Sequence, residues 1–101
     1  MGMADPIATV TSVVNIRHGA HCDYYIGRPS IFGNPFHIGA DGTRDEVIAK
    51  YEVYARGRLK HDLLFRAEVR NLYGKTLGCY CAPLRCHGDV LAKLTEELNR
   101  Y

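Results

Sequence analysis

The chain has 101 residues, 47% hydrophobic and 24% charged, which fits one soluble globular domain spanning 1–101 and excludes two-domain enzymes and repeat arrays. Thirteen basic against eleven acidic residues leave a formal net charge of +2 at pH 7, too balanced for charge alone to argue for nucleic-acid binding, so any basic site must be local. Met1-Gly2-Met3-Ala4-Asp5-Pro6 offers no basic leader, and nowhere do about eighteen apolar residues follow one another, which predicts a cytoplasmic protein without a membrane span.

Residues 7–16 are rich in Val and Thr and free of Gly and Pro, with Val10, Val14 and Ile16 on one period-2 face, which predicts a strand ending at Arg17-His18-Gly19. Tyr24-Tyr25-Ile26 predicts a second, short strand within Asp23 to Arg28, stopped by Gly27 and by Pro29, which has no N–H for a ladder. Ser30 to Gly42 reads as loop, and Ile31, Phe32 and Phe36 within it predict that it folds back onto the core. Thr43-Arg44-Asp45-Glu46 is a capping box ahead of Val47, Ile48, Tyr51 and Ala55 at helical spacing, so a helix starts there. Gly57 weakens it, and Leu59 to Tyr73 resumes with Phe65, Val69 and Leu72 on one stripe before Gly74, a suitable left-handed terminator; two helices or one kinked helix are expected.

Thr76 to Cys81 predicts a short strand ended by Pro83, and Asp89 opens a final helix with Leu91, Leu94, Leu98 and Tyr101 on one apolar stripe. The order β-β-α-α-β-α predicts a small α/β fold, a sheet of about three strands or slightly more, at least partly parallel, packed with roughly two to three helices. Such sheets place ligands at the C-terminal ends of their strands. Ile26-Gly27-Arg28 and the segment Cys79 to Asp89 lie at those ends.

The four cysteines, in a chain without a secretory leader, are expected to stay reduced. Cys79, Cys81, Cys86 and His87 follow one another as C-x-C-x4-C-H, and a strand projects Cys79 and Cys81 to one face. A tetrahedral zinc site is one reading, with His18, His21, Cys22 and His37 available from other loops to complete it. The spacing is not the familiar C-x2-C, and adjacent Cys86 and His87 must both turn to one ion; the plainer reading is a cluster of buried cysteines behaving as small hydrophobes.

Cys79 and Arg85 satisfy the C-x5-R spacing of a tyrosine-phosphatase loop, but Pro83, the second cysteine Cys81 and the lack of Ser or Thr after Arg85 argue against that chemistry. Gly88 and Asp89 open a helix whose free N–H groups suit an anion, with Arg85 and His87 beside it, although capping alone accounts for Asp89. Gly27-Arg28 and Gly33-Asn34 combine close backbone approach with a guanidinium fork and an amide. The competing reading is a turn in which Arg28 pairs with Glu46 or Asp89. Lys50, Arg56, Arg58, Lys60, Arg66 and Arg70 read as a solvated helix face rather than a nucleic-acid surface.

Tyr25-Ile26-Gly27-Arg28, Phe32-Gly33-Asn34-Pro35-Phe36 and Cys79-x-Cys81-x-Pro83-x-x-Cys86-His87-Gly88-Asp89-Val90-Leu91, three motifs in that order, resemble the family called domain of unknown function 4326, found in bacteria and many bacteriophages, over about residues 10–98. Where that family often carries Trp between the first two cysteines, this chain has Tyr80, and Arg85 lies outside the family pattern. The resemblance implies a compact α/β domain with a functional cysteine-rich loop in the cytoplasm of a bacterium or a phage-infected host, and names no reaction.

The residues support two functional readings. In the first the chain, enzyme or not, binds a phosphate-bearing ligand such as a nucleotide between the Gly27-Arg28 to Phe36 loop and the Cys81 to Asp89 loop. Arg28, Arg85 and His87, with Gly88 and Asp89 at the helix start, hold the phosphate; Asn34 orients the ligand; Cys79, Cys81 or Cys86 shapes the pocket or acts as nucleophile. In the second it is a zinc-stabilised, non-enzymatic phage accessory module that binds a host protein or nucleic acid, with Cys79, Cys81, Cys86 and His87 as metal ligands. Neither reading involves a membrane, and an open sheet edge suits a monomer or a homodimer.

Overall fold

A computed structural model of the chain describes residues 11–82 and 84–100; the part of the predicted first strand at 7–10, Pro83 and Tyr101 lie outside the described residues. The elements run β1 (Ser12–Asn15), β2 (Tyr24–Tyr25), α1 (Arg44–His61), α2 (Leu63–Arg70), β3 (Thr76–Cys79) and α3 (His87–Leu98), the predicted order. β3 lies between β1 and β2 and is parallel to both. Val13 sits opposite Leu77, Asn15 opposite Cys79, and Tyr25 opposite Gly78. β2 is shorter than predicted, although the Ile26 N–H still donates to the Gly78 carbonyl at 3.0 Å.

Alternation along β3 divides the two faces of the sheet. Leu77 and Cys79 point into the helix-covered core, where Leu77 is fully buried and Cys79 is 2% exposed. On β1 the residue that meets the helices is Val13, which packs beside Gly88 of α3, whereas Ile16 lies on the opposite face over Gly78 together with Cys22. The segment 16–23 therefore crosses that second face on its way from β1 to β2.

Thr43 Oγ1 accepts the Glu46 N–H at 3.2 Å and Glu46 Oε1 accepts the Thr43 N–H at 2.8 Å, the predicted capping box. α1 runs straight through Gly57 and breaks at Asp62, whose N–H closes α1 on the Arg58 carbonyl and whose carboxylate accepts the Phe65 N–H at 3.0 Å to start α2. A glycine in mid-helix lowers propensity by about 1 kcal/mol but keeps its hydrogen bond, whereas an Asp side chain offers the backbone an alternative partner. Gly74 has the predicted positive φ, 75°, but it closes the turn after α2 and does not directly follow the helix. α3 begins two residues before the expected Asp89: Cys86 is the N-cap, its Sγ accepting from the Gly88 N–H at 3.2 Å, and Asp89 accepts the Cys86 N–H at 3.2 Å.

The core is built on Tyr51, Phe65, Leu72, Leu77, Leu91 and Leu94. Of the three loop residues expected to fold back onto the core, Phe32 is buried, Phe36 is half-buried and Ile31 is exposed. The buried Tyr51 hydroxyl donates to the Phe32 carbonyl at 2.7 Å, pinning that loop to α1. Among the described residues no helix is long and apolar enough to cross a membrane.

α1 and α3 are also joined by charge. Arg56 contacts Glu52 at 2.9 Å and Glu97 at 3.0 Å, and Lys93 reaches Glu52 at 2.9 Å. Hydrogen bonds from Lys93 and Arg56 hold the Glu52 carboxyl below the usual glutamate range, and Arg56 does the same for Glu97. With folded values below unfolded ones, the unfolded chain takes up more protons in acid. This stabilisation is complete above the ordinary glutamate pKa and disappears as pH falls through the depressed folded values. The side chains are partly exposed, so solvent screening keeps the contribution small. The urea midpoint is expected to fall between about pH 6 and pH 3 and to fall less in Glu52→Gln/Glu97→Gln; equal falls would show that the network adds nothing.

Candidate functional site

Because β2 and β3 are parallel, their C-terminal ends open on the same side, and a cavity of about 330 Å³ lies there. The loop after β2 supplies Arg28, Asn34, Phe36, His37 and Ile38; the start of α1 supplies Arg44, Val47 and Ile48; the segment after β3 supplies Cys81, Arg85, Cys86 and His87. Three of these lining residues are arginines, and among the described residues none is a carboxylate.

Arg28 Nη1 donates to the Asn34 carbonyl at 3.2 Å and lies 3.0 Å from a ring nitrogen of His37. It does not pair with Glu46 or Asp89, which are engaged in the capping boxes of α1 and α3. Asn34 uses its side chain on the fold, its Oδ1 accepting the Phe36 N–H at 2.9 Å and its Nδ2 donating to the Val47 carbonyl at 3.3 Å. Arg44, absent from the sequence-derived set, donates to the Arg85 carbonyl at 3.1 Å. Arg85 itself pairs with Asp45 at 2.8 Å, both side chains largely exposed.

His87 Nε2 lies 2.7 Å from the Ile26 carbonyl. A carbonyl only accepts, so Nε2 carries the hydrogen and Nδ1 the lone pair. Burial lowers the His87 pKa and keeps the ring neutral, so at this position it is an acceptor rather than a cation for phosphate. Gly88 and Asp89 are not in the lining: Gly88 is buried against Ile26 and Val13, and Asp89 caps α3.

The sulfurs of Cys79, Cys81 and Cys86 all lie within 4.8 Å of one another. Cys79 ends β3, Cys86 caps α3, and a turn closed by the Leu84 N–H on the Cys81 carbonyl at 2.8 Å brings the chain back between them. The Cys79 and Cys86 sulfurs are 3.4 Å apart, and the Cys81 N–H points at Cys79 Sγ. Tetrahedral zinc with Zn–S near 2.3 Å implies sulfurs about 3.8 Å apart, a separation that lies between the 3.4 Å of the Cys79–Cys86 pair and the 4.8 Å within which all three sulfurs fall. Burial, and then the neighbouring sulfurs, push the Cys86 thiol up to about 12. A thiol held protonated is a weak nucleophile, whereas a bound cation would deprotonate it outright.

The other sequence-derived donors lie elsewhere. His87 does not join the sulfur group, Cys22 packs over Gly78 on the far face of the sheet, and His37 is turned to Arg28. His18 and His21 are exposed.

Residues 14–97 match the profile of the family described as Domain of unknown function (DUF4326). The "Uncharacterized 12.4 kDa protein in nrdA-td intergenic region" of Enterobacteria phage T4 is similar to this chain, 31% identical over 93 residues, covering 91% of this chain and 83% of the phage protein. No solved structure matches.

Proposed function

The chain belongs to the DUF4326 family, and we propose that it binds a small phosphate-bearing ligand such as a nucleotide in the cavity at the ends of β2 and β3. The observation that carries this is the convergence of Arg28, Arg44 and Arg85 on one concavity whose described lining holds no carboxylate. Arg28 and Arg44 form no ion pair among the described residues, and Arg85 alone is matched, by Asp45. In a chain of net charge +2 this is the local basic site that composition leaves room for, and the guanidinium fork matches phosphate oxygens. The cavity, about 330 Å³, is at the small end of the ligand-pocket range. Phe36, Ile38, Val47 and Ile48 give it an apolar wall suited to a base, and the lone pair on His87 Nδ1 suits a hydroxyl or amino donor.

The test is thermal protection by nucleoside monophosphates, inorganic phosphate and the bare nucleosides. Monophosphates are expected to raise Tm, phosphate to do so more weakly, and nucleosides not at all. Arg28→Ala or Arg44→Ala removes charge-assisted hydrogen bonds of about 1.5–3 kcal/mol, a weakening of roughly 10- to 100-fold, while Arg85→Ala, already paired at the surface, weakens binding less. No protection by any phosphate-bearing compound overturns the reading.

The sulfur spacing supports a second reading, a zinc-stabilised accessory module that binds a host protein or nucleic acid. The two readings use the same cysteines and differ over whether the cavity is a ligand site, so phosphate protection separates them.

A further inference from the structure

We infer that Cys79, Cys81 and Cys86 form a three-thiolate metal site whose fourth coordination position opens into the arginine-lined cavity. The three sulfurs, all within 4.8 Å of one another, supply three corners of a tetrahedron, and the described histidines and Cys22 do not join them as a fourth. Cys81 and Cys86 line the cavity while Cys79 lies behind them, 2% exposed, which places the open corner on the cavity side. Closed structural zinc sites take four protein ligands; sites with three keep a water or substrate in the fourth position. Charge agrees with this arrangement. Three thiolates on a divalent cation sum to one negative charge, and Arg28 and Arg44, which have no carboxylate partner among the described residues, line the same cavity. Water fills the open corner of the free protein, and an oxygen of a ligand held on the arginines replaces it. The nature of that ligand rests on the anion-binding reading; the open corner does not.

Cobalt(II) titrated into the reduced 101-residue chain tests this, because cobalt reports both its thiolate ligands and its coordination number in its absorption. One cobalt per chain with intense thiolate charge-transfer absorption, displaced by zinc, is expected. Cys86→Ser weakens uptake by more than about 100-fold while keeping an oxygen to cap α3, and Cys81→Ser does the same at a half-buried position. Cys22→Ser leaves uptake unchanged. Azide, small enough to need no arginine, is expected to change the ligand-field bands. Failure to take up cobalt, or bands that azide leaves untouched, overturns the inference. If monophosphates protect the protein but azide moves nothing, the open corner falls and the anion site stands. If azide moves the bands and no phosphate compound protects, the open corner stands and the anion reading falls.

Discussion

Phe65→Ala is expected to cost about 3–5 kcal/mol, at least a fifth of the roughly 5–15 kcal/mol that holds a domain of this size folded. Phe65 is fully buried, its ring centroid lies 6.3 Å from that of Phe32, and the Arg58 guanidinium stacks 4.3 Å above it. Truncation removes the aromatic burial and the cation–π contact together. The loss also reaches the cavity. Arg58 donates to the Ile31 carbonyl at 3.1 Å and Tyr51 to that of Phe32 at 2.7 Å, so the Phe65 cluster anchors the loop that carries Arg28 and Asn34. Phosphate protection should therefore weaken in whatever Phe65→Ala protein remains folded. Phe65→Leu, which refills most of the volume, is expected to recover more than half of the stability. Urea denaturation of the three proteins decides it: a loss in Phe65→Ala below about 2 kcal/mol would mean that Phe32 and its neighbours collapse into the void.

Element order was legible because local patterns carry it: the Thr43/Glu46 box, the apolar stripe at Leu91 and Leu94, and the positive φ at Gly74 all appear where short-range chemistry put them. The cysteine cluster was legible for a related reason, since a strand end, a tight turn and a helix start leave the three sulfurs little room to separate. What the sequence concealed depends on long-range contacts. His87 suits phosphate or metal as an isolated residue; its hydrogen bond to the Ile26 carbonyl, across 61 positions of sequence, makes it a neutral acceptor. Arg44 stands in a capping box and reads as helix surface, and what ties it to the cavity is a long-range contact, its hydrogen bond to the Arg85 carbonyl 41 positions away. The break at Asp62 is hidden because Gly57 is the weaker point by propensity, whereas the chain breaks at a residue able to cap both helices. The start of α3 was hidden because cysteine is not among the preferred N-cap residues, although Cys86 fills that role here.

Gly78→Val sets local preference against packing. Valine is favoured in strands, and a glycine in a strand interior is unfavourable by about 0.5–1 kcal/mol relative to alanine, so propensity alone predicts a modest gain. The position argues otherwise. Gly78 lies on the central strand opposite both Val14 and Tyr25, and its bare Cα is where the segment 16–23 crosses the sheet. A Cβ added there would lie 2.5 Å from Cys22 Sγ and 2.9 Å from both Cys22 Cβ and Ile16 Cγ2, closer than real Cβ atoms come. Overpacking by even one or two carbons costs about 1–3 kcal/mol, and valine adds three, so packing outweighs propensity. A net destabilisation of about 3 kcal/mol is expected. Removing the nearest obstacle identifies the cause: Cys22→Ala should recover part of the loss, with a coupling above about 0.5 kcal/mol in the double-mutant cycle. If Gly78→Val instead matched or exceeded the parent chain in urea, the crossing segment would be free to lift from the sheet, and the absence of a side chain at Gly78 would not be what seats it.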